Sequence, residues 1–281
     1  MVEDKEKLNS AEENVGVTQT AIRAFYLCIV LFAIIATLAT LLFPSSAMTF
    51  YEELDNIPKA YQSARFAVRT SEGEDKVNAM IACVNYGSQL FEEEPDKYAD
   101  DLYEDCTAFL QNEDCVKRSV MIDEYNIENS AKALHPNLYS YLTYVSELKA
   151  RCAVRLGKQS EIAGYVTELQ TETSLDKKAM AVYKISAVYY EAKFAKTTIS
   201  VDEDLLVTLA KEYFDLSLAS IPNHEKPSIS GLYYVKAYEK LSARMTLYGS
   251  VKANEITTVN YGSEVKNVHE LYSTLLIRYC E

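Results

Sequence analysis

Three hydropathy regimes follow one another along the chain. Residues 1–20 are polar and charged without apolar periodicity, which predicts a disordered acidic tail. Residues 24–43, AFYLCIVLFAIIATLATLLF, contain no charge, no Gly and no Pro. From residue 48 to residue 281 apolar positions return every three or four residues, and few stretches alternate as a half-buried strand would. This pattern predicts helices at 58–70, 74–94, 96–111, 115–134, 137–157, 160–172, 175–196, 202–220, 228–248 and 252–279, the last open to a break near Gly262. Local signals agree. Ser160 with Glu161, Ser174 and Asp202 open helices, and Gly157 and Gly249 close two of them.

The apolar run has 20 residues, which as a helix reach about 30 Å, the hydrocarbon thickness of a bilayer. No polar stripe interrupts it, Arg23 closes one end, and Pro44-Ser45-Ser46 breaks the other. The reading is a transmembrane signal anchor over 21–47. Ser45-Ser46-Ala47 also offers the small residues a signal peptidase prefers, so cleavage after Ala47 is the alternative. Lys5, Lys7 and Arg23 precede the run, whereas Lys59 is the nearest base after it. That bias predicts a single-pass protein with a cytoplasmic N-terminus and an extracytoplasmic domain over 48–281.

Punctuation in that domain is periodic. Pro95, Pro136 and Pro222 are 41 and 86 residues apart, the second interval being about twice the first, and each falls between two amphipathic helices. A second column repeats a large apolar residue, a small one two positions on, and then a base: Leu148-Lys149-Ala150-Arg151, Tyr190-Glu191-Ala192-Lys193 and Leu241-Ser242-Ala243-Arg244. A period of this size means stacked helical hairpins. The stretch LFEEEPDKYADDLYEDC, residues 90–106, resembles the junction between tetratricopeptide repeats. Residues 133–158, ALHPNLYSYLTYVSELKARCAVRLGK, are similar to the longer, roughly 42-residue repeats of kinesin light chains, with His135, Pro136, Leu138, Leu142 and Gly157 in matching order. FDLSLASIP, residues 214–222, resembles the usual close of a second helix, with Ser217 in place of Ala. The resemblance implies an all-α protein in which the anchor precedes an α-solenoid. Such a stack presents the off-core face of its first helices as a groove for a protein or peptide.

Charge narrows the partner classes. The net charge is −13, a poor footprint for nucleic acid or anionic lipid heads and a better one for a basic or neutral segment. Of six cysteines, Cys28 lies in the apolar run, and the rest form no CxxC pair. They read as small core residues, with a Cys106–Cys115 disulfide as the alternative. His135, His224 and His269 show no ligand spacing, and eight scattered glycines build no phosphate loop. The acids between Glu92 and Asp105 read as a solvated face. The sequence therefore nominates no catalytic, cofactor-binding or metal-ligating residue.

Tyrosine is the unusual component, at 22 residues. At helical spacing Leu138, Tyr141, Leu142, Val145 and Leu148 make one core stripe. Val182, Ile185, Val188 and Ala192 make a second, and Leu232, Val235, Tyr238 and Leu241 a third. Off these stripes lie Tyr139, Tyr144 and Arg151, then Tyr183 and Tyr190, then Tyr233 and Arg244. Tyr and Arg anchor recognition surfaces, so these seven are the candidate groove residues. The competing reading is tyrosine at the rim of the core with its hydroxyl wet. The expected function is a membrane-anchored, non-catalytic scaffold binding a protein or peptide without a cofactor. The alternatives are an extracytoplasmic ligand sensor signalling through a separate membrane partner, and an enzyme whose site assembles only in three dimensions.

Overall fold

The computed structural model describes residues 23, 25–31, 33–34, 43–119, 140–221 and 226–281. The 1–20 tail, Tyr139, and the junctions at Pro136 and Pro222 lie outside the described residues. The chain divides into two compact units, Met1–Ala79 and Met80–Glu281.

The membrane anchor is corrected. Within the apolar run, 25–31 and 33–34 are helical and 35–42 lie outside the described residues. Among the described residues no helix is long and apolar enough to cross a membrane. The single-pass reading, and the orientation drawn from it, are withdrawn. Pro44 also acts differently from expectation: it stands in the first turn of a new helix, α1 (Pro44–Glu53), where a missing N–H costs nothing. Helix α2 (Ile57–Thr70) follows, capped by Asn56, whose side chain accepts from the Lys59 amide. Ala60, Ala64 and Ala67 are fully buried along one stripe of α2, and α1 packs extensively on α2.

Helix α3 (Gly73–Glu93) leads from the first unit into the second. There follow α4 (Pro95–Gln111), a helical stretch at 113–119, α5 (Tyr141–Arg155), α6 (Gln159–Thr171), α7 (Leu175–Ala195), α8 (Glu203–Ala219) and α9 (Ile229–Tyr248). Ser140, Ser174, Asp202 and Ser228 cap α5, α7, α8 and α9 through their side chains. Gly157 and Gly249 leave α5 and α9 with φ of 64° and 91°, the left-handed conformation that glycine tolerates best. Helix α6 starts after Lys158, two residues ahead of the Ser160 expected to open it.

Packing is regular. Helix α7 lies between α5 and α9, and these two contacts are the most extensive in the unit. Helix α4 packs on α5, α6 on α7, and α8 on α9. Helices α5, α7 and α9 thus stand side by side, each with one further helix against it. The end of the chain departs from an all-α fold. The helix expected over 252–279 is instead a 3-10 turn (Ala253–Glu255), a hairpin of β1 (Thr258–Tyr261) and β2 (Glu264–Asn267), and α10 (Val268–Cys280). Thr258 pairs with Asn267 and Tyr261 with Glu264, antiparallel. Gly262 supplies a φ of 62° at the first position of the two-residue turn, as a type II′ turn demands.

Tyrosines build much of this core. Tyr183, Tyr189, Tyr213 and Tyr238 are among its largest fully buried side chains. A buried ring needs a partner for its hydroxyl, and three of the four find one on another segment. Tyr183 donates to the Tyr233 carbonyl at 3.2 Å, Tyr213 to the Tyr234 carbonyl at 3.1 Å, and Tyr189 to Glu203 at 2.8 Å. The Tyr238 hydroxyl has no partner among the described residues. Cys106 is a buried thiol and not a disulfide, and burial pushes its pKa well up.

Candidate functional site

A cavity of about 180 Å³ opens on the face formed by α5, α7 and α9. Helix α5 contributes Tyr144, Glu147, Leu148 and Arg151, α7 contributes Ser186, Ala187 and Tyr190, and α9 contributes Lys240 and Arg244. The helical repeat explains the grouping. On α5 the four residues span two turns of one face, as do the i, i+4 pairs on α7 and α9.

Most of the charge in the cavity is paired. Lys240 Nζ lies 2.7 and 2.9 Å from the two oxygens of Glu147. Both members are largely buried, and burial pushes the Glu147 carboxyl up and the Lys240 amine down, each against the pull of its partner. Arg151 donates from Nε to Glu191 at 2.7 Å and from its other nitrogens to Glu92. One turn on, Arg155 donates to the second oxygen of Glu191 at 2.5 Å and to Asp96 at 3.1 Å. Glu191 is 1% exposed, so one buried carboxylate joins two guanidinium groups. Tyr144 makes a side-chain hydrogen bond with Ser88, and burial raises its pKa.

Two groups are not paired. Arg244 makes no ion pair among the described residues. Its guanidinium lies over the Tyr190 ring, 3.8 Å from the centroid, and it acts on Glu147 only electrostatically. Ser186 is wholly buried, and its Oγ has no hydrogen-bond partner among the described residues.

The seven nominated residues separate. Tyr144, Arg151, Tyr190 and Arg244 line this one cavity. Tyr183 does not and is corrected: it is fully buried, with its ring 5.0 Å from that of Tyr233 and its hydroxyl on the neighbouring helix. It lies one turn before Ala187 on α7, and the approach of α9 closes over it. Tyr233 is half-buried outside the cavity, with its hydroxyl 2.6 Å from that of Thr143. Tyr139 lies outside the described residues.

Sequence reasoning set Glu147 and Lys240 off the core stripes without nominating them, passed over Ser186, and read Glu92 and Asp96 as solvated acids. The i, i+4 spacing of Arg151 with Arg155 and of Glu92 with Asp96 was a usable signal. Their meeting across 59 positions was not. His269 is exposed and bonds to Glu239 at 3.0 Å, away from the cavity. Among the described residues no group of three or more His, Cys, Asp or Glu side chains could hold a metal ion. No protein-family model, no curated protein and no solved structure matches the chain.

Proposed function

We propose that the second unit is a non-catalytic recognition module that holds a protein or peptide segment against the face of α5, α7 and α9. One observation carries the reading: three helices far apart in sequence bring Tyr144, Tyr190, Arg151 and Arg244 to a single cavity. Helices packed side by side form a stiff surface, which lowers the ordering cost of binding. Aromatic rings backed by arginine supply contact area and directional donors. Phe194, 55% exposed and 4.7 Å from the Tyr190 ring, extends the aromatic surface one turn beyond the cavity. The resemblance of residues 133–158 to tetratricopeptide repeats is consistent with the same use of the face.

A displayed random-peptide library tests the reading on the full chain. Selection should converge on a consensus, and Tyr190→Ala, with its circular dichroism unchanged, should lose it. No convergence, or a consensus indifferent to Tyr190→Ala, would count against the groove.

A further inference from the structure

We infer that the cavity between α5, α7 and α9 is a carboxylate site, in which the edge of the Arg244 guanidinium and the hydroxyl of Ser186 hold one carboxylate group of the ligand. The inference deepens the recognition reading, on which it rests only for the source of that group.

Ser186 is the first ground. A helical Ser or Thr satisfies its hydroxyl by bonding back four residues. Thr107, Ser217 and Thr246 do so here, to Tyr103, Tyr213 and Ser242. Ser186 does not, although it is wholly buried and lines the cavity. A donor withheld from its own helix and shut away from solvent is complete only when something in the cavity accepts from it.

Arg244 is the second ground. Stacking on Tyr190 covers one face of the guanidinium and leaves its in-plane N–H donors unused. The other lining charges are matched: Lys240 by Glu147, and Arg151 by Glu191 and Glu92. Arg244 alone of the lining cations makes no ion pair among the described residues, which leaves its donors to a ligand. The two donor sets come from packed helices and line the same cavity.

Size is the third ground. About 180 Å³ is below the roughly 300–1,000 Å³ of sites for drug-sized ligands. The cavity takes one side chain or one small acid. The carboxylate therefore comes from an acidic residue of a bound peptide or from a free organic acid.

Calorimetry and amide NMR on the full chain test this with sodium benzoate against benzamide, and acetyl-Gly-Glu-Gly-amide against its Gln counterpart. At least one carboxylate should bind and shift the amides of Ser186 and Arg244, and its neutral amide should not. Arg244→Met and Ser186→Ala should each weaken binding by about tenfold or more, the range for hydrogen bonds to a charged group. If Arg244→Met fails to fold, Ser186→Ala decides alone. No binding by either carboxylate, equal binding of acid and amide, or affinity unchanged in the variants would overturn the inference. Benzoate binding alone identifies a free acid as the source, and Glu-peptide binding alone a peptide. Library peptides that bind Arg244→Met unchanged would leave recognition standing and this site refuted. Benzoate binding with no library consensus would do the reverse.

Discussion

Glu191 is the residue on which the charged side of the cavity depends. Its two oxygens hold Arg151 and Arg155, and it is the most buried charged group in the network. Glu191→Gln leaves two partly buried guanidinium groups short of a counter-charge. The expected loss is about 3–5 kcal/mol in urea denaturation, the range for breaking one side of a buried pair. Glu92→Gln touches the same Arg151, but Glu92 is 57% exposed, so its loss should stay under about 1 kcal/mol. Ser186 predicts the opposite sign. Replacing an orphaned, buried hydroxyl by the methyl of Ser186→Ala should stabilise the chain by about 1 kcal/mol, seen as a raised melting temperature, while carboxylate binding falls. A residue that costs stability and supports binding is what a site, and not a core, would keep.

At the scale of elements, the close approach at the start of α9 is the sharpest constraint. A Cβ built on Gly231 would lie 2.9 Å from Ile221 Cγ1 and 3.2 Å from the Ser228 cap oxygen. Ile221 is itself buried and cannot yield freely, so Gly231→Ala should destabilise by about 1–3 kcal/mol despite its better helix propensity. Gly164, in mid α6 with nothing within 4 Å of its Cβ position, is the control. Gly164→Ala should gain about 0.5–1 kcal/mol, and paired chemical denaturation curves would read both.

Elements were also where the sequence spoke most clearly. The helix expected at 175–196 runs from Leu175 to Ala195, and that at 228–248 from Ile229 to Tyr248. Each carries an apolar stripe and a Ser cap within the reach of local rules. The hairpin at 258–267 was hidden because each strand has only four residues. Val259 and Tyr261 alternate and pack against the core, but two apolar positions are too few to tell a strand from a helix.

For the whole molecule, tyrosine governs the alkaline limit. Burial, reinforced by the hydrogen bonds they donate to the Glu161 and Asp176 carboxylates, pushes Tyr103 and Tyr234 up to about 12; burial, with Glu239 nearby, does the same to Tyr272. An unfolded tyrosine releases its proton near 10.0. Above that pH the unfolded chain has lost protons that the folded chain keeps. The stability these groups contribute is complete below pH 10 and is lost as the pH rises through 12. Melting temperature against pH, followed with tyrosinate absorbance, should be level to pH 9 and then fall steeply. A melting temperature unchanged from pH 10 to 12 would contradict the burial of these rings. The chain is acidic overall, which points to a basic or neutral partner, while within the cavity Arg244 makes no ion pair among the described residues.

The sequence by itself determined the bounds of helices such as Leu175–Ala195 and Ile229–Tyr248, and the apolar stripe that each turns inward, because periodicity and capping act within a few residues. The apolar run at 24–43 shows the limit of that logic: composition named a span, and among the described residues no helix is long and apolar enough to cross a membrane. The tertiary structure alone decided which tyrosines lie inside, placing Tyr183 in the core and Tyr190 at the cavity, one on each side of the closing approach of α9. It alone set Lys240 against Glu147 across 93 positions and Arg151 against Glu191 across 40. Such contacts depend on how whole helices pack, and no local rule reaches that far along a chain.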